Sequence, residues 1–363
     1  METWFGRVQF SHIGLSLTFV LWDEAELEAE QAEQEAEQDY SFLILPYIER
    51  FKTLHLEIED EDMLHELMSR FHSTAPIHLP ILRQFMFHCT TFGEDDGPLQ
   101  ISSADNLNRL NIDFLFSDWD IIRRFSPWHN LTHVAAMIPL PAFHALLAEC
   151  SRLVDGQFKF NMDIEVATMI VVPITLPTLQ TLGVTLDDSC GLPVSSNIFD
   201  GLTLPTIQEL HICVIKGFKW SPDAELYQQL ENLRCLKYDG NWNGLRLIIR
   251  RTPLLEDLKI GSIEKDFVEF YEMLKKVENE VVFLPRLRRL SVDNSFCSKG
   301  TVSRMLWFRA EASQWDLTQV PFESFTLVTW WQNIVEGDLR WIRDGTQVKV
   351  EVIYEKQLAR RDV

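Results

Sequence analysis

Apolar residues recur along this chain in one short spacing: an anchor, two variable positions, then two apolar residues separated by a single position. The clearest copies open on Leu-Pro: LPILRQFMF from Leu79, LPTLQTLGV from Leu176, LPTIQELHI from Leu204 and LPRLRRLSV from Leu284. Copies without proline are IERFKTLHL from Ile48, NLNRLNI from Asn106, NLTHVAA from Asn130, NLRCLKY from Asn232 and LLEDLKI from Leu254. A looser copy runs through Cys150, Leu153, Phe158 and Phe160. The anchors Phe51, Leu82, Leu107, Leu131, Leu153, Leu179, Ile207, Leu233, Leu255 and Leu287 are 22 to 32 residues apart. Residues two apart on a strand face the same way, so pairs such as Leu182 with Val184 and Leu258 with Ile260 point into one core. A single unit cannot cover its own apolar side, so units must stack, placing their strands in one parallel sheet. The proline ahead of an anchor is expected to hold the approach extended and to stop any preceding helix.

Between the strands, apolar spacings of three and four predict returning helices at 62–72, 141–150, 245–251, 263–277 and 301–312. The stripe Ile263, Phe267, Phe270, Tyr271 and Leu274 is the best of them. Residues 187–201, rich in Ser, Asn and Gly, read as loop or single turns. Leu15 and Leu17 predict a first, capping strand. At the other end Phe322, Phe325 and Leu327 form a degenerate copy, and Val348, Val350 and Val352 alternate with Lys349 and Glu351 as a closing strand whose outer face meets water. The fold class is therefore α/β: an irregular solenoid with a parallel sheet on one side and helices and loops on the other. One repeat domain is expected over 1–363: a capping strand in 1–22, an acidic insertion at 23–41, repeats over 42–295, a degenerate repeat and cap over 296–355, and a tail at 356–363.

Charge narrows the function. The 54 acidic residues outnumber 33 basic ones for a formal net charge of −21, which argues against a nucleic-acid binder. Residues 23–39 hold nine carboxylates and no base, with little apolar surface to bury, and read as a solvated excursion. No stretch of about 18 apolar residues predicts a membrane span. The cysteines, Cys89, Cys150, Cys190, Cys213, Cys235 and Cys297, are scattered without a CxxC pair, as expected of reduced, buried thiols in the cytoplasm or nucleus.

The series LPxLxxLxL with variable helical returns resembles leucine-rich-repeat proteins over residues 11 to 355. More narrowly it is similar to F-box proteins of mushroom-forming fungi, through Trp4 followed by IGLSLTF, the segment FHALLAECSRLVDGQFKF, and the leads LTLP at Leu202 and ITLP at Ile174. The resemblance implies a non-enzymatic substrate receptor of a ubiquitin ligase. Two departures stand beside it. The position three after the last strand residue, where such repeats carry Asn or Cys, reads Glu59, Thr90, Leu115, Pro139, Asp187, Ile215, Asn241, Ile263 and Ser295, so an asparagine ladder is not expected. The F-box itself is not seen, with only residues 1–12 before the first strand.

Catalytic signatures fail. GxGxxG, GxxxxGK[ST] and GxSxG are absent. His129 and His133 have zinc spacing only on a helix, lack the following glutamate and fall on a strand approach. Asn130-Leu131-Thr132 is a formal glycosylation sequon with Leu131 as a core anchor, and Asp187-Asp188 reads as a solvated pair. Trp330 and Trp331 read as filling for uneven repeats, and Arg250, Arg251, Arg286, Arg288 and Arg289 as partners of nearby carboxylates. No catalytic residue, cofactor or metal ligand is expected.

A surface remains. The side chains between and after the inward strand residues line the concave sheet face: His55, Glu57, His88, Asn111, Asp113, Lys159, His211, Lys237, Asp239, Lys259, Ser291 and Asp293. Their mixed sign and lack of repeated chemistry suit one irregular protein surface. The expected partner is a protein substrate, with a ligase adaptor only if an F-box lies upstream, no nucleic acid and no membrane, the chain itself being a monomer. The alternatives are a repeat scaffold with no ubiquitin link and an enzyme with an unrecognised site.

Overall fold

A computed structural model describes residues 15–21, 49–58, 77–89, 101–113, 128–161, 173–186, 198–214, 225–240, 242–261, 267–275, 277–278, 281–293, 300–315, 320, 322–329 and 348–354. The chain divides into two compact units, Met1–Thr178 and Leu179–Val363. The acidic run at 23–39, the expected helix at 62–72, Asp187-Asp188 and the Trp330-Trp331 pair lie outside the described residues. So do all but Pro139 of the positions where an asparagine ladder would stand.

Among its described residues, the first unit carries one run of six parallel strands that neighbour one another in chain order. They are β1 (Leu15–Leu21), β2 (Phe51–Ile58), β3 (Gln84–Cys89), β4 (Arg109–Asp113), β5 (His133–Pro139) and β6 (Asp155–Asn161). The second carries seven, again parallel and in chain order. They are β7 (Thr181–Leu186), β8 (Glu209–Val214), β9 (Cys235–Asp239), β10 (Asp257–Ile260), β11 (Arg289–Asp293), β12 (Ser324–Thr329) and β13 (Lys349–Tyr354). Each unit is thus an α/β structure built on a parallel sheet.

The register follows the repeat. Leu54, Phe85, Leu110 and Val134 stand opposite one another in the first unit; Leu182, Leu210, Leu236, Leu258, Leu290 and Phe325 do so in the second. All of these are buried, and every one of the ten anchors is at most 1% exposed. Burying a side chain of that size stabilises by about 1.5–3 kcal/mol, so the core is distributed evenly along each sheet.

The Leu-Pro lead forms a turn where an extended approach was expected. Leu82 donates its N–H to Leu79 O at 3.3 Å, Ile207 to Leu204 O at 3.3 Å and Leu287 to Leu284 O at 3.2 Å. Proline's fixed φ suits the second position of such a turn, and the residue ahead of it is tucked into the core. Leu79, Leu204 and Leu284 are all buried. The proline-free copies turn the same way: Leu107 bonds Ala104 O at 2.8 Å and Leu233 bonds Leu230 O at 3.0 Å.

A lateral ladder joins these turns. Arg234 and Cys235 both donate to Gln208 O, at 2.8 and 3.0 Å, and Glu256 and Asp257 both donate to Arg234 O, at 2.8 and 2.9 Å. Side chains just ahead of the anchors add to it. Asn106 donates to Pro80 O, Asn130 to Asp105 O at 3.2 Å, Thr178 to Leu153 O at 2.8 Å and Thr206 to Leu179 O at 2.9 Å. Short polar side chains therefore bridge successive repeats at the entry of β4, β5, β7 and β8, satisfying carbonyls that a turn leaves open.

Among the described residues, four α-helices return the chain: α1 (Leu140–Glu149), α2 (Trp242–Ile249), α3 (Phe267–Leu274) and α4 (Thr301–Trp315). Phe143 of α1 packs edge-on against Phe158 and Phe160, each at 5.1 Å between ring centres. Glu269 of α3 accepts from Trp242 at 3.0 Å and from Arg246 at 3.3 Å, tying α2 to α3. The helix expected over 263–277 is shorter, because Val277 already belongs to a two-residue antiparallel strand paired with Val282. A β-branched residue loses rotamer freedom in a helix and fits that strand.

Candidate interaction face

The strands that carry the twelve residues singled out by pattern alternate between buried side chains and side chains on the opposite, outward face, so these residues share that face within their own unit. In the first unit His55, Met86, Asn111, Ala135 and Gln157 stand opposite one another across five strands. The next outward position gives Glu57, His88 and Asp113. His88 Nδ1 lies 3.0 Å from Asp113 Oδ2, so two residues 25 apart in the chain meet through register alone. Lys159 is exposed on β6, opposite Met137 of β5.

In the second unit His211, Lys237, Lys259 and Ser291 stand opposite one another. Asp239 and Asp293 occupy the following outward position on β9 and β11. Half-burial pushes the Asp293 carboxyl above its usual value, and the Lys259 and Lys237 ammonium groups pull it back. Both signs are present in each unit.

The face of the first unit has a depression of about 190 Å³. Ala135, the smallest side chain of its row, leaves the space, and Met86, Asn111, Arg109, His133 and Gln157 line it as well. Burial first, then the Arg109 charge, hold His133 below its ordinary pKa, against the pull of Asp155 upward. Thr132 Oγ1 lies 2.9 Å from His133 Nδ1. His133 is on a strand and His129 on the short 3-10 turn Trp128–Asn130, so the pair does not take the helical geometry that a two-histidine zinc motif uses. Asn130 of the sequon is half-buried and engaged in the ladder.

Of the five arginines read as partners of carboxylates, Arg288 and Arg289 form such pairs. Arg289 donates to Asp257 at 2.8 Å and Arg288 to Glu323 at 2.9 Å. The cysteines depart from expectation. Cys150 is buried, whereas Cys213 and Cys235 are only half-buried, because they stand at outward positions of β8 and β9. Half-burial first, then the carboxylates of Asp257 and Glu209, push the Cys235 thiol up to about 11 against the opposing Arg289 charge. Glu209 and His211 alternate on β8, and Glu209 faces Cys235 across the ladder. Of these three, the pattern of the sequence singles out only His211. The cue it offers for the others is an acidic and a thiol residue at the same repeat position, one copy apart.

Among the described residues, no helix is long and apolar enough to cross a membrane. No family model matches the chain, and no curated protein does.

Proposed function

We propose that this chain is a non-enzymatic protein-interaction module, an irregular leucine-rich-repeat region of the mushroom-type F-box kind that recruits a protein substrate to a ubiquitin ligase. The observation that carries the reading is the outward sheet face. Its side chains stand in cross-strand rows, mix both signs and, in the first unit, border a depression floored by Ala135. A flat, regularly spaced set of polar side chains over a stiff parallel sheet suits a protein surface, where buried anchors in small pockets supply affinity and the charged surround supplies specificity. The repeat spacing and the LTLP and ITLP leads support the family. The excess of acid supports a protein partner over a nucleic acid.

The test is affinity purification from the cell that expresses the chain. Wild type is compared with one face variant per unit, H88A/D113A/K159A and K237E/K259E. The expected result is a set of proteins captured by wild type and lost from at least one variant, with the circular dichroism of both variants unchanged. Capture that ignores both variants overturns the reading. The ligase adaptor co-purifying with the product of the longest transcript supports the ubiquitin role; face-dependent capture without the adaptor leaves a scaffold instead.

A further inference from the structure

On β8, Glu209 and His211 are two apart and so leave the sheet on the same side, while β9 sets Cys235 directly opposite Glu209. A carboxylate oxygen of Glu209, a ring nitrogen of His211 and the sulfur of Cys235 all lie within 4.8 Å of one another. We propose that Glu209, His211 and Cys235 bind a divalent transition-metal ion of the zinc class, with a fourth coordination position open on the outward face of the second unit.

The donor set chooses the metal. Thiolate and imidazole are ligands of zinc and its borderline neighbours, whereas calcium and magnesium take oxygen donors. A tetrahedral ion with ligand bonds of about 2.0–2.3 Å holds its donors roughly 3.3–3.8 Å apart. Closing from the present spread takes side-chain rotation only. The backbones need not move, since β8 and β9 are paired over five consecutive residues from Glu209↔Cys235 to Cys213↔Asp239. Charge balances as well. One carboxylate and one thiolate offset the two positive charges of the ion, neutral imidazole completes the set, and the thiol proton leaves to solvent on binding.

The neighbours fit this role. Glu209 and Asp257 flank Cys235 on its two sides in the ladder, and the Glu209 carboxylate favours an arriving cation. Asp257 is held by Arg289 at 2.8 Å, so it is committed to that pair and is not one of the ligands. Glu209 is exposed, and His211 and Cys235 are half-buried, which leaves room above the ion for water or for a ligand brought by another molecule. Three protein ligands with one open position is the arrangement of zinc sites that accept an exogenous donor. The site stands whether or not the outward face recruits a protein substrate.

The experiment uses the purified full chain, stripped with a chelator and titrated with Co(II) and then Zn(II). The expected result is thiolate-to-cobalt charge-transfer absorption that saturates at one Co(II) per chain and is bleached by Zn(II). C235S should abolish it, and H211A should weaken binding by about tenfold or more. C213S removes another half-buried thiol of the same face and should leave the signal unchanged. Absorption that never appears in wild type, or that survives C235S, overturns the proposal. If circular dichroism shows C235S unfolded, the double variant E209Q/H211A decides: retained wild-type affinity for Co(II) in it overturns the site, and lost affinity supports it.

Discussion

Arg309 carries a guanidinium into a place only 2% exposed. Its two amino groups donate to Phe283 O at 2.7 Å and Leu284 O at 2.8 Å, and its charge lies 4.9 Å from the centre of the Phe322 ring. Leu284 has a φ of 50°, a left-handed conformation that costs a branched residue about 1–2 kcal/mol. The arginine of α4 thus pins the strained lead of β11 from the other side. Burial pushes its pKa down to about 10, so it remains charged at neutral pH. R309M should cost about 2–4 kcal/mol, since a buried and a half-buried carbonyl lose their partner. Urea unfolding reads this directly, and an unshifted midpoint would show that the carbonyls have no need of it.

Cys150 supplies the pH dependence. It closes α1 with no exposed surface, and burial, then Glu149, push its thiol from 9.0 up to about 12. In the unfolded chain the same thiol loses its proton near 9. Between the two values the folded form binds the extra proton, so stability is fully present below about pH 9 and falls as pH rises toward 12. Within that window each pH unit should remove about 1.4 kcal/mol in wild type relative to C150A. Denaturation of both proteins across the alkaline range checks it. Parallel curves would assign the alkaline loss to other groups.

At the scale of elements, β6 explains its own irregular sequence. Gly156 stands opposite Val134, the inward position that is apolar in the neighbouring copies. A Cβ there would come within 2.7 Å of the Phe158 ring and 3.2 Å of Leu153. Phe158 therefore fills two places, its own and the one the glycine vacates, with Phe143 of α1 closing over it. G156A, although it adds strand propensity, should destabilise by about 1–3 kcal/mol through overpacking. The double variant G156A/F158L should recover most of the loss. Thermal unfolding of the two variants separates this from a backbone effect, since a backbone cause would leave both equally unstable.

Strands of this kind were legible because the anchor and the alternating pair repeat within nine residues. The Leu-Pro turn was not, because proline's φ fits an extended approach and a turn equally, and only the N–H of the anchor reaching back decides. The repeat pattern points to the position after each strand for a lateral ladder, whereas Asn106, Asn130, Thr178 and Thr206 form one before the anchor. Among the described residues, the helices expected over 141–150, 245–251 and 301–312 emerged within three residues of their expected ends, and α3 ends before Val277.

For the molecule as a whole, membership of the outward face could be read from period-two alternation, but not which members meet. Register is a relation between copies 22 to 32 residues apart, and no local pattern encodes it. His88 with Asp113, and Glu209 with Cys235, become neighbours only when the anchors align. Arg309 was hidden for a related reason. A charged residue inside a helix reads as solvated until the carbonyls it must reach are placed.

The entry ladder has a final consequence. Because the backbone of each turn and the anchor behind it fix the next strand, the residues on the open side carry little of the folding energy. Exposed lysines such as Lys159, Lys237 and Lys259 can be exchanged with small loss of stability, while a lost anchor costs a cavity. The outward side chains can therefore be exchanged copy by copy over a chassis that stays the same.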